Sequence, residues 1–266
     1  MSAATAQGQY GFVLYEDFES YNGHQSYNTT KLWNDFPTTL WQAGISAGRG
    51  YISGTAQGGS KHSLKITYPA YQSGSSSTGA QFQVNFPNGA KYTELYCEYD
   101  FRFSGGFQWK EGGKMPGLGG GGFTATGGTL ADGYNGFSSR LMWRKNGTIA
   151  AYVYRVNRPA GTSYGEDFFF EENGQRVTLS PNRWYRVKMR VRLNQVGSAD
   201  GRITCWLDGT QVLDRGGIEW RKTNNLKIDN FMFSTFPGGG SGDSLFYPTQ
   251  TQQAWFDNLH CFTWGQ

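Results

Sequence analysis

With 39 glycines and 17% aromatic side chains in 266 residues, the chain suits many short strands joined by tight turns more than helices. A net charge of +4 without any Lys/Arg block is too weak to argue for nucleic acid and fits a modest preference for an acidic partner such as a polyanion. No stretch approaches the roughly 18–20 apolar residues of a membrane span, and the length suits one all-β domain over residues 1–266.

The opening residues MSAATAQGQYGF lack the basic and apolar pattern of a leader. Residues 12–18 read as an entry strand and 31–41 as an irregular aromatic segment, where a helix around Lys31 has little support. Short strands follow at 64–68 and 80–86, separated by a polar loop at 72–79. The longest clean alternation is YTELYCEYDFRF at 92–103, with Leu95, Cys97, Tyr99, Phe101 and Phe103 on one face and Glu94, Glu98, Asp100 and Arg102 on the other. That is a half-buried antiparallel strand. Its carboxylates read as a solvated face, in preference to the acid and base pair of a glycosidase.

Residues 110–122, KEGGKMPGLGGGG, carry seven glycines around Lys114. The order GxxxxGK[ST] of a phosphate-binding loop is missing, so the segment reads as a glycine-rich loop that can bring one ammonium close to a bound anion. A second loop, 124–136, leads into FSSRLMWRKNGTIAAYVYR at 137–155. This stretch alternates with period two: Leu141, Trp143, Ile149, Ala151 and Val153 face one way, Ser138, Arg140, Arg144, Tyr152 and Tyr154 the other. A two-residue Asn146-Gly147 turn would mix the faces. A three-residue loop of Lys145, Asn146 and Gly147, with Gly147 at positive φ, sets Arg140 opposite Tyr152 and Ser138 opposite Tyr154 and leaves both faces clean. The second face is expected to point outward.

Beyond the hairpin, 158–175 reads as an excursion. WYRVKMRVRL at 184–193 puts Arg186, Lys188, Arg190 and Arg192 on one face, either as a polyanion track or, by preference, as the solvated side of a sheet. Strands at 202–208, 226–235 and 254–264 complete the count, with 237–242 expected as a mobile loop. Cys97, Cys205 and Cys261 show no metal spacing and read as buried thiols or one disulfide. His24, His62 and His260 read as structural or surface residues.

The segment GGKMPGL, followed by SSRLMWR and AYVYR, resembles the family 14 polysaccharide lyases, which cleave alginate or glucuronan. The resemblance implies a β-jelly-roll sandwich of two antiparallel sheets with a concave substrate cleft. It also implies that Lys114, Ser138, Arg140, Tyr152 and Tyr154 line that cleft, with Arg144 added here for substrate binding. Gly119–Gly122 exceed the family's usual glycine count, which leaves the cleft shape open. The implied reaction is β-elimination on a 1,4-linked polyuronate, giving unsaturated uronate ends, with no cofactor or metal. The expected setting is a secreted monomer acting on an acidic polysaccharide, without nucleic acid or membrane partners.

The chemistry fits those residue types. Abstraction of the uronate C5 proton requires the neighbouring carboxylate to be neutralised, which Arg140 can do in bidentate fashion. The charges of Lys114 and Arg140 are expected to favour a tyrosine phenolate for proton transfer. One crowded cluster suits mannuronate or glucuronate, in which the C5 proton and the O4 leaving group share a side. The competing reading is a non-catalytic carbohydrate-binding sandwich.

Overall fold

The computed structural model describes residues 10–122 and 125–264, and its strands form two large antiparallel sheets packed face to face. In the nine-stranded sheet, Glu94–Phe103 sits centrally between Trp184–Arg192 and Gln252–Trp264. Gly201–Leu207 and Thr210–Ile218 extend it on one side, Ser63–Tyr68, Gly50–Ser53 and Gln25–Tyr27 on the other, and Tyr10–Glu16 pairs with the second half of Gln252–Trp264. The seven-stranded sheet runs Glu166–Phe169, Ile149–Tyr154, Phe137–Arg144, Gly112–Gly120, Asn230–Pro237, Ala80–Asn85, Thr39–Ala43. This is the all-β sandwich expected from composition.

The core lies between the sheets, where the alternating apolar faces meet. Phe233 of one sheet packs on Phe256 of the other at 5.0 Å between ring centroids, and Phe103 on Trp143 at 5.1 Å. In Gln252–Trp264 the inward positions switch from even (Ala254, Phe256) to odd (Leu259, Cys261), because Asn258 takes φ 50° at a bulge. All three cysteines are buried and free.

Three expectations change. Residues 110–122 are not a loop: Gly112–Gly120 is a strand inside the seven-stranded sheet. Glycine is used there for close approach, since a Cβ on Gly117 would lie 2.1 Å from the Ser139 carbonyl oxygen and one on Gly113 would lie 2.0 Å from the Trp143 ring. Pro116 is tolerated because the register shifts between Met115 and Gly117, and its carbonyl accepts the Tyr99 hydroxyl at 3.0 Å. Thr29–Asp35 is a helix, capped by the Asn28 side chain accepting from Lys31 N–H at 3.1 Å and anchored by buried Leu32. The 158–175 excursion returns Glu166–Phe169 to the sheet edge.

The basic and acidic stripes turn out to be partners. Trp184–Arg192 pairs with Glu94–Phe103 so that Arg186 faces Asp100, Lys188 faces Glu98 and Arg190 approaches Glu94. Arg186 grips fully buried Asp100 through two bonds of 2.7 Å. Such cross-strand pairs stabilise the sheet and occupy the carboxylates that a glycosidase would need in its cleft.

Candidate active site

The hairpin has the register derived from its face pattern: Arg140 lies opposite Tyr152 and Ser138 opposite Tyr154. Lys145–Gly147 forms the loop, with Asn146 at φ 61° and Gly147 at φ 77°. Leu141, Trp143, Ile149, Ala151 and Val153 join the core. The opposite face is not open to solvent, contrary to expectation. Ala125, Leu130 and Ala131 from the preceding loop pack against Met142, Tyr152 and Tyr154 in a second, smaller apolar cluster.

This cover leaves a cavity of about 870 Å³ on the outer side of the seven-stranded sheet, and Lys114, Arg140, Arg144, Tyr152 and Tyr154 all line it. The segment 238–243 forms another wall, tied to the 73–77 loop by Ser73 Oγ donating to the Gly240 carbonyl at 2.5 Å and by a 3.1 Å contact between the Ser77 and Ser241 hydroxyls. Ser138 is not brought to the cavity. It is buried beneath the cover, and its hydroxyl donates to the Ala125 carbonyl at 2.7 Å, holding the loop in place.

Lys114 is the centre of the arrangement. Its Nζ sits 3.8 Å from the Tyr152 ring centroid and 2.9 Å from Met142 Sδ, a weak acceptor. Burial first, then the nearby Arg140 and Arg144 charges, push its proton affinity well below the ordinary value of 10.5. Arg140, 2% exposed, donates to Thr126 Oγ1 at 2.5 Å, and burial lowers its pKa to about 10. Arg144 is ion-paired with Asp167 at 2.8 Å and lies 5.4 Å from the Tyr152 ring.

The phenolate expectation is reversed. Burial and a hydrogen bond shared with Tyr154 push the Tyr152 phenol above its ordinary value, outweighing Arg144 and the Gly165 N–H, which donates to its oxygen at 3.1 Å. Tyr152 therefore rests as a phenol. Tyr154, with its ring edge-to-face against Tyr152, accepts from Gly128 N–H at 3.3 Å. Gly165 must be glycine here, because a Cβ would lie 2.7 Å from the Tyr154 ring.

Sequence reasoning missed Met142, Gln81, Thr126 and Gly165. Met142 and Gln81 carried a signal: Met142 shares the even-numbered face of Arg140, and Gln81 alternates with core residues Ala80 and Phe82 in AQFQVN. Thr126 and Gly165 sit on loops whose return to the sheet has no periodic signature. Among the described residues no group of three His, Cys, Asp or Glu is placed to hold a metal ion, and no helix is long and apolar enough to cross a membrane.

No curated protein matches the chain. Among solved structures, the alginate lyase Aly36B superposes with a TM-score of 0.78 at 25% identity, covering 93% of this chain and 95% of its own, and a variant of it has been solved with an alginate tetrasaccharide. The marine PL-14 alginate lyase from Aplysia kurodai gives 0.74 at 24% identity over 91% and 98% of the two chains. The endo-β-1,4-glucuronan lyase from the fungus Trichoderma reesei shares the fold at 0.55 and 13% identity over 91% and 95%. The model of the polysaccharide lyase 14 family matches residues 56–259, which contain the hairpin, the Lys114 strand and the cavity they line, and the chain belongs to that family of polyuronate-cleaving lyases.

Proposed function

We propose that residues 1–266 act as one secreted, monomeric catalytic domain that cleaves mannuronate- or glucuronate-rich chains by β-elimination, with Lys114 as base and Tyr152 as acid. The observation that carries this reading is the 3.8 Å approach of a half-buried amine of depressed proton affinity to the ring of a tyrosine held as phenol. A base must be able to give up its proton and an acid must hold one, and the shifts at Lys114 and Tyr152 run in those two directions.

In the cycle, Arg140, assisted by Arg144, pairs with the uronate carboxylate and makes the C5 proton removable. Lys114 takes that proton and becomes an ammonium. The C5–H electrons form the C4=C5 double bond, the C4–O4 bond breaks, and O4 leaves with the Tyr152 proton. The phenolate left behind accepts the Gly165 N–H and recovers its proton from the Lys114 ammonium, which restores both groups. Tyr154 holds Tyr152 in line, and Ser138 serves the substrate indirectly by fixing the loop that carries Thr126.

Base and acid on one wall suit a sugar whose C5 proton and O4 lie on one side, which mannuronate and glucuronate share and guluronate does not. Incubation with polymannuronate, polyguluronate and glucuronan, followed by ultraviolet absorbance of the unsaturated uronate, tests this. Absorbance should rise on the first or third and be lost in Lys114→Ala and Tyr152→Phe. A preference for polyguluronate would overturn the same-side geometry.

A further inference from the structure

The nine-stranded sheet carries on its outer side a feature that the reaction does not use. Two neighbouring rows of residues cross five strands in register. One runs Trp206, Lys188, Glu98, His260, Tyr15; the next runs Thr204, Arg190, Tyr96, Phe262, Phe12. Four inter-strand steps make this band about 19 Å long. Aromatic contacts are continuous along it: Trp206 to Tyr96 at 6.4 Å, Tyr96 to Phe262 at 5.4 Å with planes 15° apart, and His260 to Phe12 at 5.9 Å. Phe12 is 64% exposed and Trp264 47%.

Cations edge the band. Lys188 Nζ sits 4.8 Å from the Trp206 ring and Arg190 lies 5.7 Å from that of Tyr96. In the adjoining row Arg192, which donates to the Asp200 carbonyl at 2.9 Å, faces Arg202, which is ion-paired with Asp214. Glu94 and Glu98 are occupied by Arg190, Arg186 and His260, whereas Lys188 has no ion pair among the described residues. A shallow pocket of about 220 Å³ opens on the band, lined by Phe12, Glu98, Lys188, His260, Phe262 and Trp264.

We infer that this band is a second, non-catalytic binding surface for an acidic polysaccharide chain, on the side of the sandwich opposite the cavity. The C–H faces of pyranose rings pack on exposed aromatic side chains such as Phe12 and Trp264, and a uronate carboxylate finds Lys188 beside them, with Arg190 and Arg192 reachable at the edge in exchange for their present partners. A second copy of the chain is a poorer occupant, because self-association would set these cations against their own copies. The inference rests on the polyuronate reading for its ligand class. Separation from the cavity by the full thickness of the sandwich means that a short oligosaccharide cannot fill both sites. A polymer can, or two chains can, and the band then holds the enzyme on its substrate between cuts.

The test is affinity electrophoresis of the whole protein in gels containing polymannuronate, with Lys114→Ala present so that the gel is not digested. Lys188→Glu and Trp206→Ala, each added to that background, should weaken retardation roughly three- to tenfold, while the cleft substitution Arg144→Ala should leave part of the retardation in place. Retardation within twofold of the background in both band variants overturns the proposal. So does complete loss on Arg144→Ala alone, or sedimentation showing a dimer that Lys188→Glu dissociates. Should Trp206→Ala fail to fold, Lys188→Glu decides the question, because it changes a partly exposed side chain. Failure of the lyase reading shows separately, as absence of unsaturated product from the unsubstituted protein.

Discussion

Replacing Lys114 by methionine separates what the amine does for chemistry from what it costs the fold. Methionine keeps the unbranched stem, so packing against Met142 and the Tyr152 ring survives while the base is lost. Positioned proton transfer contributes about 10²–10⁴ in rate, so kcat should fall by that factor, or about 3–5 kcal/mol in the barrier. Stability should move the other way. The half-buried amine binds its proton less tightly in the folded chain than in the unfolded one. Between the two affinities the unfolded chain therefore carries more protons, and stability rises with pH until it levels off above the ordinary lysine value of 10.5. Methionine removes that penalty. An unpaired buried polar group costs about 1–3 kcal/mol, and the Tyr152 ring and Met142 sulfur return part of it. A net gain of about 1 kcal/mol remains, a rise in Tm of roughly 2–4 °C for a chain near this size. Thermal melts at several pH values check the sign: the gain should be largest at neutral and acid pH and shrink towards pH 10. Parent activity should climb as Lys114 loses its proton, on a limb lying below the ordinary lysine range. Turnover within tenfold of the parent, or a Tm gain equal at every pH, would refute the assignment of the base.

Tyr152→Phe should lose roughly 10²–10⁴ in kcat with its fold intact, because the ring beneath Lys114 is retained; Tyr154→Phe should lose less, and equal losses in steady-state assays would remove the distinction between the two. Gly117→Ala should destabilise by about 1–3 kcal/mol in urea titration, since its Cβ would meet the Ser139 carbonyl, a backbone atom that cannot step aside; an unchanged midpoint would mean the strand can shift. Asp100→Asn should cost about 1–3 kcal/mol, at the low end because Arg186 is about half exposed, and leave polymer cleavage at the parent rate; loss of activity in the folded variant would return the glycosidase reading to contention.

What was legible in the sequence was whatever rested on period two. The hairpin register followed from two facts available in the letters, the alternation of Arg140 and Tyr152 with core residues and the loop length that keeps both faces clean. The Lys114 strand was hidden because glycine argues against a strand by propensity. Its reason for being glycine is the approach of Trp143 and the Ser139 backbone, a tertiary fact. Likewise the basic stripe was visible, but its partners lay some 90 residues earlier, at Glu94 and Asp100. The resting states of Lys114 and Tyr152 were the least legible. They depend on how completely loop residues such as Ala125 and Gly165 close over the sheet, and no local pattern reports that burial.

The two pKa shifts that the proposed reaction calls on share one cause. Removing water from a lysine and a tyrosine that share a wall disfavours the charged form of each, so the amine is driven to give up its proton and the phenol to keep its own. Nearby arginines reinforce the first effect and oppose the second. Burial wins at Tyr152 because Tyr154 adds to it and because Arg144 is already engaged by Asp167. In the proposed cycle the phenolate would find the Gly165 N–H already aimed at its oxygen, and the new ammonium would stand over the Tyr152 ring, whose face attracts cations. A more open cleft would weaken the desolvation that lowers the lysine's proton affinity. A more closed one would exclude the polymer. The loops at 125–131 and 238–243 wall the cavity between those limits, above the hairpin to which the proposed reaction assigns the chemistry.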